Sequence, residues 1–183
     1  MGQLRNEIFE WVKTLVVVLI LVIIVRTFFF ANYMVYGESM MPSIQDGERI
    51  IINKASYNLS EPKRFDMIVF HATKENDYIK RVIGLPGDSI YYKDDILYVN
   101  DVPIEEAYLE EFRAQYDGNV FTNDFTIEDV TNESVVPEGH LFVLGDNRRN
   151  SMDSRQLGFI SLDQVVGKAN LCYWPLSDFR LLK

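Results

Sequence analysis

Between Trp11 and Phe30 the chain runs for 20 residues with only two charges, Lys13 and Arg26, one near each end. Coiled as a helix, that stretch is about 30 Å long, the hydrocarbon thickness of a bilayer. The two basic side chains can snorkel outward, and Trp11 and Tyr33 suit the interfacial belts. A cleaved leader would need small residues after the apolar run. Here Phe28-Phe29-Phe30-Ala31-Asn32-Tyr33 follows, so the expectation is an uncleaved anchor at 11–30 behind a short polar tail, 1–10. Arg5 and Lys13 are nearly offset by Glu7 and Glu10, which leaves only a weak charge signal for orientation.

The rest of the chain, 31–183, has the size of one ordinary domain. Its strand signals are Arg49 to Asn53, Asp66 to Phe70, Tyr78 to Ile83, Leu141 to Leu144 and Val165 to Trp174. A hairpin is expected from Ser89 to Asn100 around Lys93-Asp94-Asp95. Short strands with frequent turns, and no convincing helix after the anchor, indicate a mainly β, antiparallel, barrel-like domain. From Asp94 to Glu138 there are 13 acidic residues against one base, Arg113. That stretch, about 105–136 at its centre, reads as a solvated acidic insertion with a helical turn at 105–111.

Composition excludes several functions. A formal charge of −9 argues against nucleic acid as a partner. A single cysteine, Cys172, rules out an intrachain disulfide, and with two histidines no Cys/His zinc spacing exists. No metal or cofactor is expected. Cys172 itself lies in an apolar run and reads as a small buried hydrophobe.

Three stretches could carry chemistry. In Tyr78-Ile79-Lys80-Arg81-Val82-Ile83 a lysine sits inside an apolar strand, with Lys80 and Arg81 on opposite faces by alternation. Burial disfavours the ammonium and lowers its pKa, which can make a general base of it. The plainer alternative is a strand-edge lysine with its head in water. Ser39 lies in the turn-like Gly37-Glu38-Ser39-Met40-Met41-Pro42, about nine residues past the anchor. A nucleophilic serine needs a base within reach and a donor for the oxyanion. His71 and His140 are possible bases, but neither has an obvious orienting carboxylate nearby, and Lys80 is the better candidate. The third stretch, Gly145 to Arg155, is dense in small polar residues. Its arginines at 148, 149 and 155 argue against a calcium loop and suit a salt-bridge network holding a catalytic loop.

Together these stretches resemble the type I signal peptidases, membrane-bound Ser/Lys endopeptidases of bacterial protein export. The matching parts are Gly37 to Pro42, Asp66 to Phe70, Tyr78 to Asp88 and Gly145 to Arg155, in the family's order behind an amino-terminal anchor. The resemblance implies Ser39 as nucleophile and Lys80 as general base. Ser151 would hydrogen-bond the lysine amine, Asp153 would position that loop, and Arg81, Asp146 and Arg155 would form a structural ion-pair network. Tyr33, Val35, Met40, Ile44, Tyr78 and Ile79 would line shallow pockets for small residues at −1 and −3 of a signal peptide. The implied partners are signal peptides of secretory preproteins and the lipid bilayer, with the export translocon close by. The implied setting is a single-pass cell-membrane protein, tail cytoplasmic and catalytic domain, 31–183, on the outer face.

Two features depart from the family's pattern. Some members carry a serine two residues before the nucleophile to help form the oxyanion hole, and here that position is Gly37. The hole then relies on the Ser39 backbone N–H, with water or the Gly37 backbone left open as a second donor. Ser43 replaces a common threonine. One anchor and a short body resemble the compact Gram-positive type. Self-cleaving SOS-repressor peptidases share the Ser/Lys pair but would need a DNA-binding domain in place of the anchor. A catalytically silent anchored module is the alternative from another class.

Overall fold

The computed structural model describes residues 2–116 and 120–182. Helix α1, Gly2–Phe29, includes the apolar run. Its stretch from Phe9 to Phe29 is long and apolar enough to cross a membrane. The residues read as a separate tail, from Gly2 on, are helical and continuous with it. The helix gives way directly to strand β1, Phe30–Met34, so Phe30, expected to close the anchor, opens a strand.

The domain has two antiparallel sheets. The larger contains β1, β2 (Arg49–Asn53), β3 (Met67–His71) and β4 (Asp77–Gly84). The smaller is built from β5 (Ile90–Lys93), β6 (Ile96–Val99), β7 (Val102–Ile104) and β8 (Phe125–Thr126). The chain then returns to the larger sheet with β9 (His140–Leu144), β10 (Ile160–Ser161), β11 (Val165–Trp174) and β12 (Arg180–Leu181). The strand orders are β1-β2-β11-β3-β4-β9-β10, with β12 on β11, and β7-β6-β5-β8.

The hairpins of the smaller sheet follow from local chemistry. Asp94 and Asp95 between β5 and β6, and Asn100 and Asp101 between β6 and β7, all have φ between 51° and 65°. Aspartate and asparagine tolerate that left-handed region better than most residues, and two such residues in succession match the strand twist.

Three apolar clusters fill the domain. Val35, Met40, Ile44, Ile50, Ile52, Met67, Val69, Cys172 and Leu182 form one, beneath the Ser39 segment. A second joins the sheets through Ile83, Ile90, Leu97, Phe142 and Leu144. The third packs Ile68, Phe70, Val82, Leu141 and Val143. Leu182 is therefore core, whereas Trp174, Leu176, Phe179 and Leu181 are exposed.

The acidic stretch is not simply a solvated loop. It supplies three of the smaller sheet's strands and buries Leu109, Phe121, Ile127 and Glu106. Asp95 accepts the backbone N–H groups of Phe121 and Thr122, tying the stretch back on the β5–β6 turn. Its carboxylates serve as internal acceptors, a role that a count of charges does not reveal.

Candidate active site

Strand β4 lies between β3 and β9, with Lys80 opposite Ile68 and Arg81 opposite Leu144. Lys80 is 3% exposed. Its Nζ is 2.8 Å from Ser39 Oγ, donates to the Ile79 carbonyl at 2.8 Å, and lies 5.3 Å from the Tyr78 ring centre. The bond to Ser39 is donated by the amine when it is protonated and by the hydroxyl when it is not. Burial lowers the lysine pKa to about 8, against Asp153 and Asp146, whose charges pull it upward.

Ser39 is presented by the segment between β1 and β2. Gly37 opens it at φ +86°, a value glycine adopts without penalty, and donates its N–H to Asp46. Turn bonds run from Met41 N–H to the Glu38 carbonyl and from Ile44 N–H to the Met40 carbonyl. Met40 and Ile44 pin the segment from below by packing into the core.

The segment after β9 closes over this turn. Asn147 N–H donates to the Ser39 carbonyl at 3.0 Å, and Asn147 Nδ2 donates to the Glu38 carbonyl at 3.2 Å. Asp153 accepts the Gly145 N–H at 3.0 Å, caps the short helix Ser154–Leu157, and pairs with Arg155. A Cβ on Gly145 would collide with Ser151 Oγ and lie 2.5 Å from the Ser39 carbonyl oxygen. Gly145→Ala should therefore push the Ser39 turn away from Lys80. We expect roughly a 100-fold loss in any reaction run by this pair, the scale of a 1 Å misplacement. Unchanged turnover in that variant would show that the close approach has no bearing on the site.

A cleft of about 480 Å³ opens beside Ser39 and Lys80. Tyr33, Val35, Tyr78 and Ile79 line it. Met40 and Ile44 do not, being 1% and 0% exposed in the core below. Among the described residues Ser151 Oγ has no hydrogen-bond partner, so the expected bond to the lysine amine is not made. Lys80 uses the Ile79 carbonyl instead. Arg81 forms a two-pronged pair with Asp146 at 2.7 and 2.8 Å, and also reaches the Phe65 carbonyl and Ser43 Oγ. Arg155 belongs to Asp153 rather than to that pair. The histidines stand apart: neither lines the cleft. His71 does have a carboxylate, Asp77, its cross-strand neighbour at 2.6 Å, which six residues of sequence separation had hidden. His140 contacts the Glu138 carbonyl. Among the described residues no cluster of three metal-ligating side chains occurs.

A family profile described as signal peptidase, peptidase S26, matches residues 8–174, nearly the whole chain. The chain belongs to the signal peptidase family. Signal peptidase I of Bacillus caldolyticus is 52% identical over 154 residues, covering 84% of this chain and 85% of that protein. Signal peptidase IB of Staphylococcus aureus strain COL is 41% identical over 181 residues, covering 97% and 95%. The crystal structure of a signal peptidase I from Enterococcus faecalis V583 superposes with a TM-score of 0.56 at 44% identity, covering 60% of this chain and 97% of that one. The protein is thus a signal peptidase, a hydrolase acting on signal peptides, and the repressor and silent-module alternatives are set aside.

Within the signal peptidase frame, some residues of the site had escaped the sequence reading. Met34, Asp77, Asn150 and Met152 also line the cleft. Asp77, at the start of β4, accepts the Tyr33 hydroxyl of β1 at 2.8 Å. The sequence signal for Asp77 is its place at the end of the polar run after His71, just where β4 begins. Arg148 is wholly buried and pairs with Glu106 of the acidic stretch, with Tyr92 and Tyr108 hydroxyls alongside. The Tyr108 ring lies 3.9 Å from the Arg81 guanidinium, so the two ion pairs adjoin.

Proposed function

We propose that the protein is a membrane-anchored serine endopeptidase that removes amino-terminal signal peptides from exported preproteins by a Ser/Lys mechanism. Ser39 is the nucleophile and Lys80 the general base. Neutral Lys80 takes the Ser39 proton as Oγ attacks the carbonyl after a small residue. An acyl-enzyme forms with departure of the mature chain's amine, which takes up a proton. Lys80 then activates the hydrolytic water. The single observation that carries this reading is the buried amine 2.8 Å from the hydroxyl.

Other features support the details. Gly37 leaves the Ser39 backbone N–H as the oxyanion donor, and that group makes no hydrogen bond among the described residues. Asp153, through Gly145 and Arg155, and the Arg81–Asp146 pair hold the loop that covers the turn. A cleft walled by Tyr33, Val35, Tyr78 and Ile79, shallow over buried Met40 and Ile44, suits small side chains at −1 and −3. α1 supplies the bilayer anchor, tail cytoplasmic and domain on the outer face near the translocon. Exposed Trp174, Leu176, Phe179 and Leu181 fit a domain resting against lipid.

The test is digestion of a preprotein by detergent-solubilised protein, with the cut site read by mass and Ser39→Ala as control. One cut after a small residue, absent in the control, is the expected result. Because the base must be neutral and burial holds it at about 8, kcat/KM should rise about tenfold per pH unit below that value and level off above it. A profile flat from pH 6 to about 9 would remove Lys80 from the mechanism.

A further inference from the structure

Resting on Ser39 as nucleophile, we propose that Asn147 is a positioning residue for the oxyanion, its side-chain amide fixing the peptide plane that carries the Ser39 N–H. The Glu38–Ser39 peptide is not among the cis bonds of this chain, so its C=O and N–H point in opposite directions. Its carbonyl is held from one side by Asn147 Nδ2 at 3.2 Å and by Met41 N–H at 3.1 Å. Its N–H therefore faces away from Asn147, and that N–H makes no hydrogen bond among the described residues. Glu38 and Ser39 both border the cleft, where a developing oxyanion would need a donor.

Asn147 is 7% exposed, and its Oδ1 has no hydrogen-bond partner among the described residues. The side chain's hydrogen bonding is thus spent on the Glu38 carbonyl. Its backbone N–H separately holds the Ser39 carbonyl, a bond that a side-chain substitution leaves in place. The two contacts pin consecutive carbonyls on either side of the nucleophile. Gly37 contributes no side-chain donor, and so the orientation of this one N–H counts for more.

The test compares Asn147→Ala and Asn147→Leu with wild type on a preprotein. We expect kcat to fall roughly 10- to 100-fold in both, below the cost of losing an oxyanion donor outright. KM should stay within about twofold, because the ground-state carbonyl gains little from the donor. A peptide aldehyde ending in alanine, whose hemiacetal with Ser39 carries the oxyanion, should weaken in proportion to kcat/KM. The rising limb of the pH profile should not move, and the thermal unfolding midpoint should fall by no more than about 2–4 °C, the scale of one lost hydrogen bond. Turnover within about twofold of wild type overturns the inference. So does a moved pH limb, an undiminished aldehyde affinity, or a rate loss that follows the melting temperatures of the two variants. If only the Asn147 variants keep full rate while Ser39→Ala and Lys80→Met are dead, this inference alone fails. Activity surviving in Ser39→Ala removes the nucleophile assignment as well.

Discussion

Lys80→Met should abolish preprotein cleavage while leaving the domain at least as stable as wild type at pH 7. The rate falls by roughly 10⁴-fold or more, the scale for losing one member of a nucleophile–base pair. Stability moves the other way because the amine is a burden in the fold. Holding it at about 8, instead of about 10.4 as in the unfolded chain, costs about 3 kcal/mol. Methionine removes that cost and gives up the bonds to Ser39 Oγ and the Ile79 carbonyl, each about 1 kcal/mol. The net gain is on the order of 1 kcal/mol. Its pH dependence has a fixed sign. The folded pKa lies below the unfolded one, so the wild-type penalty is complete below about pH 8, shrinks as pH rises toward about 10.4, and then vanishes. Urea melts at pH 7 and pH 10, paired with preprotein digests, read both quantities. A variant less stable than wild type by several kcal/mol at pH 7, or one that still cuts, would contradict the account of Lys80.

Glu106→Leu should be among the most destabilising single substitutions in the chain. It leaves Arg148, 0% exposed at its side chain, without a carboxylate. Stranding a buried charge costs about 3–5 kcal/mol, against a total domain stability of roughly 5–15. That corresponds to a fall of about 10 °C in melting temperature for a domain of this size. The double variant Glu106→Leu/Arg148→Leu removes both charges and should recover most of the loss, since apolar replacements of buried pairs are often neutral. Thermal melts of the two single variants and the double variant give the coupling directly. Additive losses would mean that the pair is not what secures this contact.

How far such features could be read in advance depended on how local their causes are. The strands Arg49–Asn53 and Val165–Trp174 were legible to the residue because short runs rich in β-branched and apolar residues stand there between turn signals. The Lys80 environment was legible for the same reason: an ionisable side chain interrupts an apolar strand. β1 was not, because it follows the apolar helix with no change of composition at Phe30. Met40 and Ile44 have the right polarity for a cleft wall, yet polarity does not separate wall from core. Arg155 and Arg148 show the same limit for charge: which carboxylate each arginine finds depends on folding of the stretch after β9, including its cap at Asp153. Glu106 was the hardest to foresee. One acid among 13 is buried against Arg148, and only the tertiary fold distinguishes it from its solvated neighbours.

The direct passage from helix to strand at Phe29 and Phe30 tethers the cleft closely to the apolar helix. Five residues of strand advance at most roughly 17 Å, so the cleft wall at Tyr33 to Val35 stays within that reach of the last helical turn, with no loop between to extend it.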